Sequence, residues 1–158
     1  DLAAIDDAIE RLSLYVGEGH AITKDAVEAT VTRVRVDSIW ALVDAIAQKR
    51  TKVAMEATLS MLGDREPALR ILAMVARQVR MVAKMKSGLE SGLSPADAVK
   101  AAGAPPFKAR ELGDSARKFS DADLRRALVL LRDADVALKG SKREPEIVME
   151  ETVLALCR

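Results

Sequence analysis

The residue types that most often carry chemistry are nearly missing from this sequence. It has one cysteine, Cys157, and one histidine, His20. It can therefore neither close an internal disulfide nor assemble a zinc set from thiolates and imidazoles. That usage fits a reducing cytosol, and the chain reads as cytoplasmic, with Cys157 as a core residue. Aromatics are scarce, with one Trp, one Tyr and two Phe, so Ala, Leu, Val and Met must fill the interior. No stretch supplies the roughly 18 unbroken apolar residues of a membrane helix, and no basic start leads into an apolar run of the signal-peptide kind. Neither sign of charge prevails. Lys and Arg number 25 against 24 Asp and Glu, so no overall field holds the molecule on DNA or an anionic membrane, and any basic site has to be local.

Catalytic constellations are equally thin. A phosphate-cradling loop needs glycines spaced ahead of a Lys-Ser/Thr pair at a strand-to-helix turn, and the eight glycines never take that spacing. A nucleophile–histidine arrangement would have to use His20, which stands in the polar turn Gly17-Glu18-Gly19-His20 and reads as a solvated turn residue. The acid pairs Asp6-Asp7 and Glu150-Glu151 are adjacent on helices, so they diverge by about 100° and cannot converge on one metal or sugar. No catalytic, cofactor or metal residue is assigned, and no cofactor is expected.

What the chain does have is helix. Of its 158 residues 49% are apolar and 31% charged, enough for one domain, or one domain and part of another, with a self-sufficient core. Leu2, Ile5, Ile9, Leu12 and Val16 recur at intervals of three and four, which predicts a helix ending near Gly17. Thr23 suits an N-cap for a second helix that turns Ala26, Val27 and Val31 inward. Residues 30–36 alternate weakly and read as an extended connector before Asp37 caps the next helix, with Ile39, Trp40, Val43 and Ile46 inside. Beyond the polar residues 48–52 comes another helix, then the longest run, 66–86, expected to be central, with Leu72, Val75, Val79 and Val82 on its inner face. Ser94-Pro95 is an N-cap followed by a proline at the first helical position. Gly103 stops that helix, Pro105-Pro106 opens one reaching about Lys118, and Ser120 with Asp123 forms a capping-box pattern. The helix that follows runs to Lys139-Gly140, where the glycine suits a C-cap, and Pro145 starts the last. The class is all-α, a helical bundle. The chain begins at Asp1, without Met, inside a helical pattern, and reads as part of a longer protein.

Two features stand out on these helices. Asp135 shares a stripe with Leu128, Leu131 and Leu138, which points its carboxylate at the core and calls for a cation. Lys139 four residues on, or Arg77 or Arg80 from the row that Arg70, Arg77 and Lys84 form on the central helix, would answer it, as an internal ion pair or as a contact to a neighbouring subunit. The row could also meet phosphates, although no aromatic is interleaved with it. The loop Lys139-Gly140-Ser141-Lys142-Arg143 holds three cations in five residues and is the better candidate for DNA contact.

The order of these features resembles one family. Ile9 to Val16 followed by Ile22 to Val27 is similar to the end of the lid domain in delta subunits of the bacterial DNA polymerase III clamp loader. Ile39 to Ile46 resembles the start of that family's collar, and Ile71-Leu72 with Arg77-Gln78-Val79-Arg80 its central collar helix. Pro105-Pro106-Phe107 resembles its mid-domain turn, and Ser120 to Lys139 with Leu154 to Cys157 its last two helices. The resemblance implies residues 1–35 as the remnant of an AAA+ lid and residues 36–158 as a helical collar for oligomerisation. It further implies gamma/tau ATPase subunits and delta-prime as collar partners in a hetero-oligomer working in DNA replication. The beta sliding clamp would be met only through an N-terminal domain outside this chain. Primer-template DNA would pass Lys142 and Arg143 in the assembled complex. On this reading the chain itself is not an enzyme and touches no membrane. The residues alone leave open an alternative, a helical protein–protein adaptor unrelated to replication.

Overall fold

The computed structural model describes the backbone of residues 2–64 and 66–158, with their side chains except those of residues 2–4 and 31–37. Among the described residues every regular element is helical: α1 (Leu2–Val16), α2 (Lys24–Ala47), α3 (Thr51–Gly63), α4 (Ala68–Glu90), α5 (Pro95–Ala101), a 3-10 turn (Pro106–Lys108), α6 (Ala109–Lys118), α7 (Asp121–Gly140) and α8 (Pro145–Leu156). The all-α class read from the sequence is the class the chain adopts. Its contacts form two compact units, Asp1–Ser38 and Ile39–Arg158, the division falling inside α2.

In the first unit α1 stops at Gly17, whose φ of 82° a side chain would resist. Thr23 caps α2 as its position suggests, its Oγ1 accepting from the Ala26 backbone N–H at 3.2 Å. Ala26 is buried, but Val27 is 37% exposed rather than inward-facing. On α1, Ile5 and Ile9 stay more than half exposed, while Leu12 and Val16 are half-buried. Leu2 and Val31 lie outside the described side chains. The extended connector is a misreading: α2 continues through residues 30–36, and Asp37 lies inside it rather than at a cap. The β-branched Val and Thr that produced the weak alternation lower helix propensity by only a few tenths of a kcal/mol each. Extending a helix already nucleated on both sides costs little against that.

The second unit is built around α4. Helices α5, α6, α7 and α8 all pack on it, and α8 also packs on α3 and α7. The inner face of α4 carries Ile71, Leu72, Val75, Val79, Val82 and Met85, each at most 2% exposed. They recur at intervals of three and four, which keeps them on one side of a 3.6-residue helix. Leu42, Val43 and Ile46 of α2, Leu112 of α6, Leu124 and Leu131 of α7, and Met149 and Val153 of α8 complete the core. Each fully buried side chain of this size contributes about 1.5–3 kcal/mol. Thr58 and Thr152 are buried too, and each hydroxyl donates to the carbonyl four residues back, Ala54 at 2.8 Å and Val148 at 2.6 Å.

The helix ends follow their chemistry. Pro67 stands at the N-cap of α4, where its missing N–H is no loss. Ser94 Oγ accepts from the Asp97 N–H at 3.2 Å, with Pro95 next. Ser120 and Asp123 make the reciprocal box: Ser120 Oγ accepts from the Asp123 N–H at 3.0 Å, and Asp123 Oδ2 accepts from the Ser120 N–H at 3.4 Å. Pro105-Pro106 opens the 3-10 turn ahead of α6 rather than α6 itself. Gly140 is the last residue of α7 and has no left-handed φ. The stop is made by Ser141, whose Oγ donates to the Ala137 carbonyl at 2.7 Å.

Candidate assembly and nucleic-acid surfaces

Lys142 and Arg143 lie in the exposed turn between α7 and α8. Ser141 shapes that turn: its Oγ also accepts from the Arg143 backbone N–H at 3.2 Å. The Arg143 guanidinium reaches across to Glu151 of α8 at 2.6 Å. Lys142, by contrast, has no ion pair with a described residue. The two cations of the turn are thus unequal, Arg143 tethered and partly neutralised, Lys142 available to meet an anion.

Asp135 does not face the core. It pairs with Lys139 at 2.7 Å, and both side chains keep substantial exposure, 43% and 61%. The buried face of α7 is set by Leu124, Ala127, Leu131 and Ala134. Asp135 comes one residue after Ala134 and is turned about 100° from it. Leu128 and Leu138, which suggested an inward stripe, are themselves only half-buried. Arg77 and Arg80 are exposed on α4 and make no ion pair with any described residue. Arg80 and Asp135 nevertheless line one groove of about 320 Å³ between α4 and α7, together with Leu72, Ala73, Ala76, Leu128, Leu131 and Arg132.

Some residues that sequence reading passed over organise one end of the second unit. Lys49 Nζ reaches Asp123 Oδ1 at 3.3 Å and the Arg158 carbonyl at 3.0 Å. Asp44 gathers Arg50 at 3.3 Å and Lys118 at 2.5 Å, and Arg126 donates to the Ala155 carbonyl. Only the helix ends could have signalled the contacts of Lys49 and Lys118, because their partners are 74 or more residues away and no local spacing connects them. The hydrogen bond from the Ser120 side chain, against desolvation and with help from Lys49 and the Ser120 backbone N–H, holds the Asp123 carboxyl below its ordinary value. Elsewhere, Lys108 stands 5.0 Å above the Trp40 ring centroid while pairing with Glu111 at 2.6 Å. Cys157 is 5% exposed, in the core as expected. Among the described residues no three His, Cys, Asp or Glu side chains gather where a metal could sit, and no helix is long and apolar enough to cross a membrane.

The family model for the DNA polymerase III delta subunit, C-terminal domain, matches residues 36–156. The chain is 25% identical over 157 residues to DNA polymerase III subunit delta of Bacillus subtilis, covering 99% of this chain and 45% of that protein. It is also similar to the solved structure of the Bacillus subtilis DNA clamp loader delta protein, with a TM-score of 0.75 and 25% identity over 99% of this chain and 46% of that one. The chain thus spans a little under half the length of both relatives. With most of its residues under that model and nearly its whole length following the same fold, the chain belongs to the DNA polymerase III delta subunit family and carries that family's C-terminal domain.

Proposed function

We propose that this chain is the assembly part of a clamp-loader delta subunit. Residues 36–158 act as a collar that joins gamma/tau ATPase subunits and delta-prime in a ring, and residues 1–35 end the AAA+ lid. The observation that carries this reading is the family match over residues 36–156. Most of that span lies in the unit Ile39–Arg158, whose α4 and α7 leave apolar and cationic groups on the surface. The part supplies no catalytic group. Clamp opening and contact with the beta sliding clamp belong to the N-terminal domain, and primer-template DNA passes the turn after α7.

At that turn Lys142 offers a phosphate contact, and Arg143 offers one only by leaving Glu151. Attraction to phosphates there is electrostatic and sequence-independent. Two measurements test the reading. Full-length protein mixed with the ATPase subunit and delta-prime should give one pentamer by native mass, and failure to join refutes the collar role. Within the assembled loader, Lys142→Glu should lower primer-template affinity and flatten its log–log salt dependence by about one unit. Unchanged affinity and slope would remove DNA from the turn.

A further inference from the structure

We infer that the groove between α4 and α7 is the seat of a neighbouring, non-identical subunit, which lays into it a helix with an apolar stripe flanked by carboxylates. The inference rests on the collar reading and adds to it a face and a partner chemistry. Lys86 of α4 meets Asp121 of α7 at 3.7 Å, while Leu72 and Asp135 share the groove farther along. The two helices are therefore antiparallel, with a channel of about 320 Å³ between them.

Its apolar lining is Leu72, Ala73, Ala76, Leu128 and Leu131. The two alanines keep it deep, because no long side chain rises from that part of α4. Val129 and Val136 extend the apolar surface along α7, 47% and 64% exposed, and Leu69 extends it along α4 at 39%. A contiguous apolar surface of this kind marks an interaction site rather than a solvated face, and a groove between two helices is where a third helix packs.

Charge selects the occupant. Arg77, Arg80, Lys84 and Arg125 are exposed and form no ion pair with a described residue, whereas the carboxylates beside them are already engaged. Asp133 is held by Arg132 at 2.7 Å and Asp135 by Lys139 at 2.7 Å. The rim is left with cations that only an incoming acidic group can match, and such complementarity governs encounter and register. The apolar floor, with no ring to stack on a base, favours a protein helix over a nucleic-acid strand.

The test uses full-length protein and its partner subunits, scored by affinity for each neighbour and by pentamer mass. Arg77→Glu with Arg80→Glu should weaken the contact by at least about 30-fold, as charge reversal at a docked rim does. Ala73→Trp, which fills the channel without changing charge, should weaken it similarly. Lys100→Glu with Arg110→Glu, an equal charge change elsewhere on the surface, should leave it within about threefold. All these side chains are exposed, so thermal melts should show each variant folded. A wild-type chain that does not join overturns the collar reading and this inference together. Normal joining by both groove variants overturns this inference alone. So does a groove variant that assembles normally and loses only DNA affinity, or only self-association.

Discussion

Lys49 is the residue on which the structure makes its sharpest energetic demand. Its φ is 56°, the left-handed region, and it alone of the described non-glycine residues is held there. The geometry is a helix stop: the Arg50 N–H donates to the Ala45 carbonyl at 2.8 Å and the Lys49 N–H to the Ile46 carbonyl at 3.0 Å. That places Lys49 where glycine usually stands. An L-residue gives up about 1 kcal/mol or more in this conformation. Against that strain the side chain gains its contacts to Asp123 and Arg158. Both ends are partly exposed, 47% for Lys49 and 33% for Asp123, so these contacts amount to about 0.5–1 kcal/mol. Lys49→Ala keeps the strain and loses the contacts, and should cost about 1 kcal/mol. Lys49→Gly loses the same contacts but releases the strain, and should come out close to neutral. The expected difference is a melting temperature about 2–4 °C higher for the glycine variant than for the alanine variant, read by calorimetry on matched samples. Equal melting, or a lower value for glycine, would refute the claim that the backbone at Lys49 is strained.

Two further outcomes follow from single buried groups. Gln78 is 6% exposed on the inner half of α4, and its Nε2 has no acceptor among the described residues. Gln78→Met keeps the length and removes the buried amide, so it should raise stability by about 1 kcal/mol, or 2–4 °C; a lower melting point would show that the amide is satisfied. Cys157 has its thiol pKa pushed up by burial, which outweighs the opposing hydrogen bond from Thr51 and the Lys49 charge. The folded state thus holds the proton more tightly than the unfolded one. The resulting stability is complete below the ordinary thiol value of 9.0 and is lost as pH rises from there through the folded value. Denaturant titrations across pH 8 to 10 should therefore show a steeper loss for the native chain than for Cys157→Ala, and parallel curves would rule the effect out.

Helix existence and class were legible because Leu72, Val75, Val79 and Val82 repeat at a period that no strand accommodates, and because Thr23, Ser94 and Ser120 are caps whose chemistry is local. What failed was also local evidence, overruled from a distance. Alternation over residues 30–36 is a weak signal and gave way to a helix growing from both sides. The stripe of Leu128, Leu131 and Leu138 points Asp135 inward, but of the three only Leu131 is buried, and the face that meets the core runs through Leu124, Ala127, Leu131 and Ala134. A leucine at the edge of a helix face is only half-buried, as Leu128 and Leu138 are, so three leucines do not by themselves fix the direction of the core. The cluster at Lys49, Asp123 and Arg158 left no trace in spacing, because its members meet only after α2, α7 and the residues beyond α8 have folded against one another.

The misplacement of Asp135 has its own consequence for how the surface works. Had its carboxylate pointed inward, Arg77 or Arg80 would have been drawn in to neutralise it, and the cost of leaving that charge alone would have run to several kcal/mol. Instead Lys139 neutralises it from the same helix, four residues on and in the favourable order, acid before base. A half-exposed pair of that kind contributes only about 0.3–0.5 kcal/mol to stability. It neutralises the acid without engaging an α4 cation, and Arg132, from α7 itself, does the same for Asp133. Both carboxylates of the α7 edge are thereby satisfied locally, which leaves the α4 cations unmatched beside an apolar channel. A surface arranged in that way adds little to the fold, and its charge imbalance is best accounted for by what docks against it.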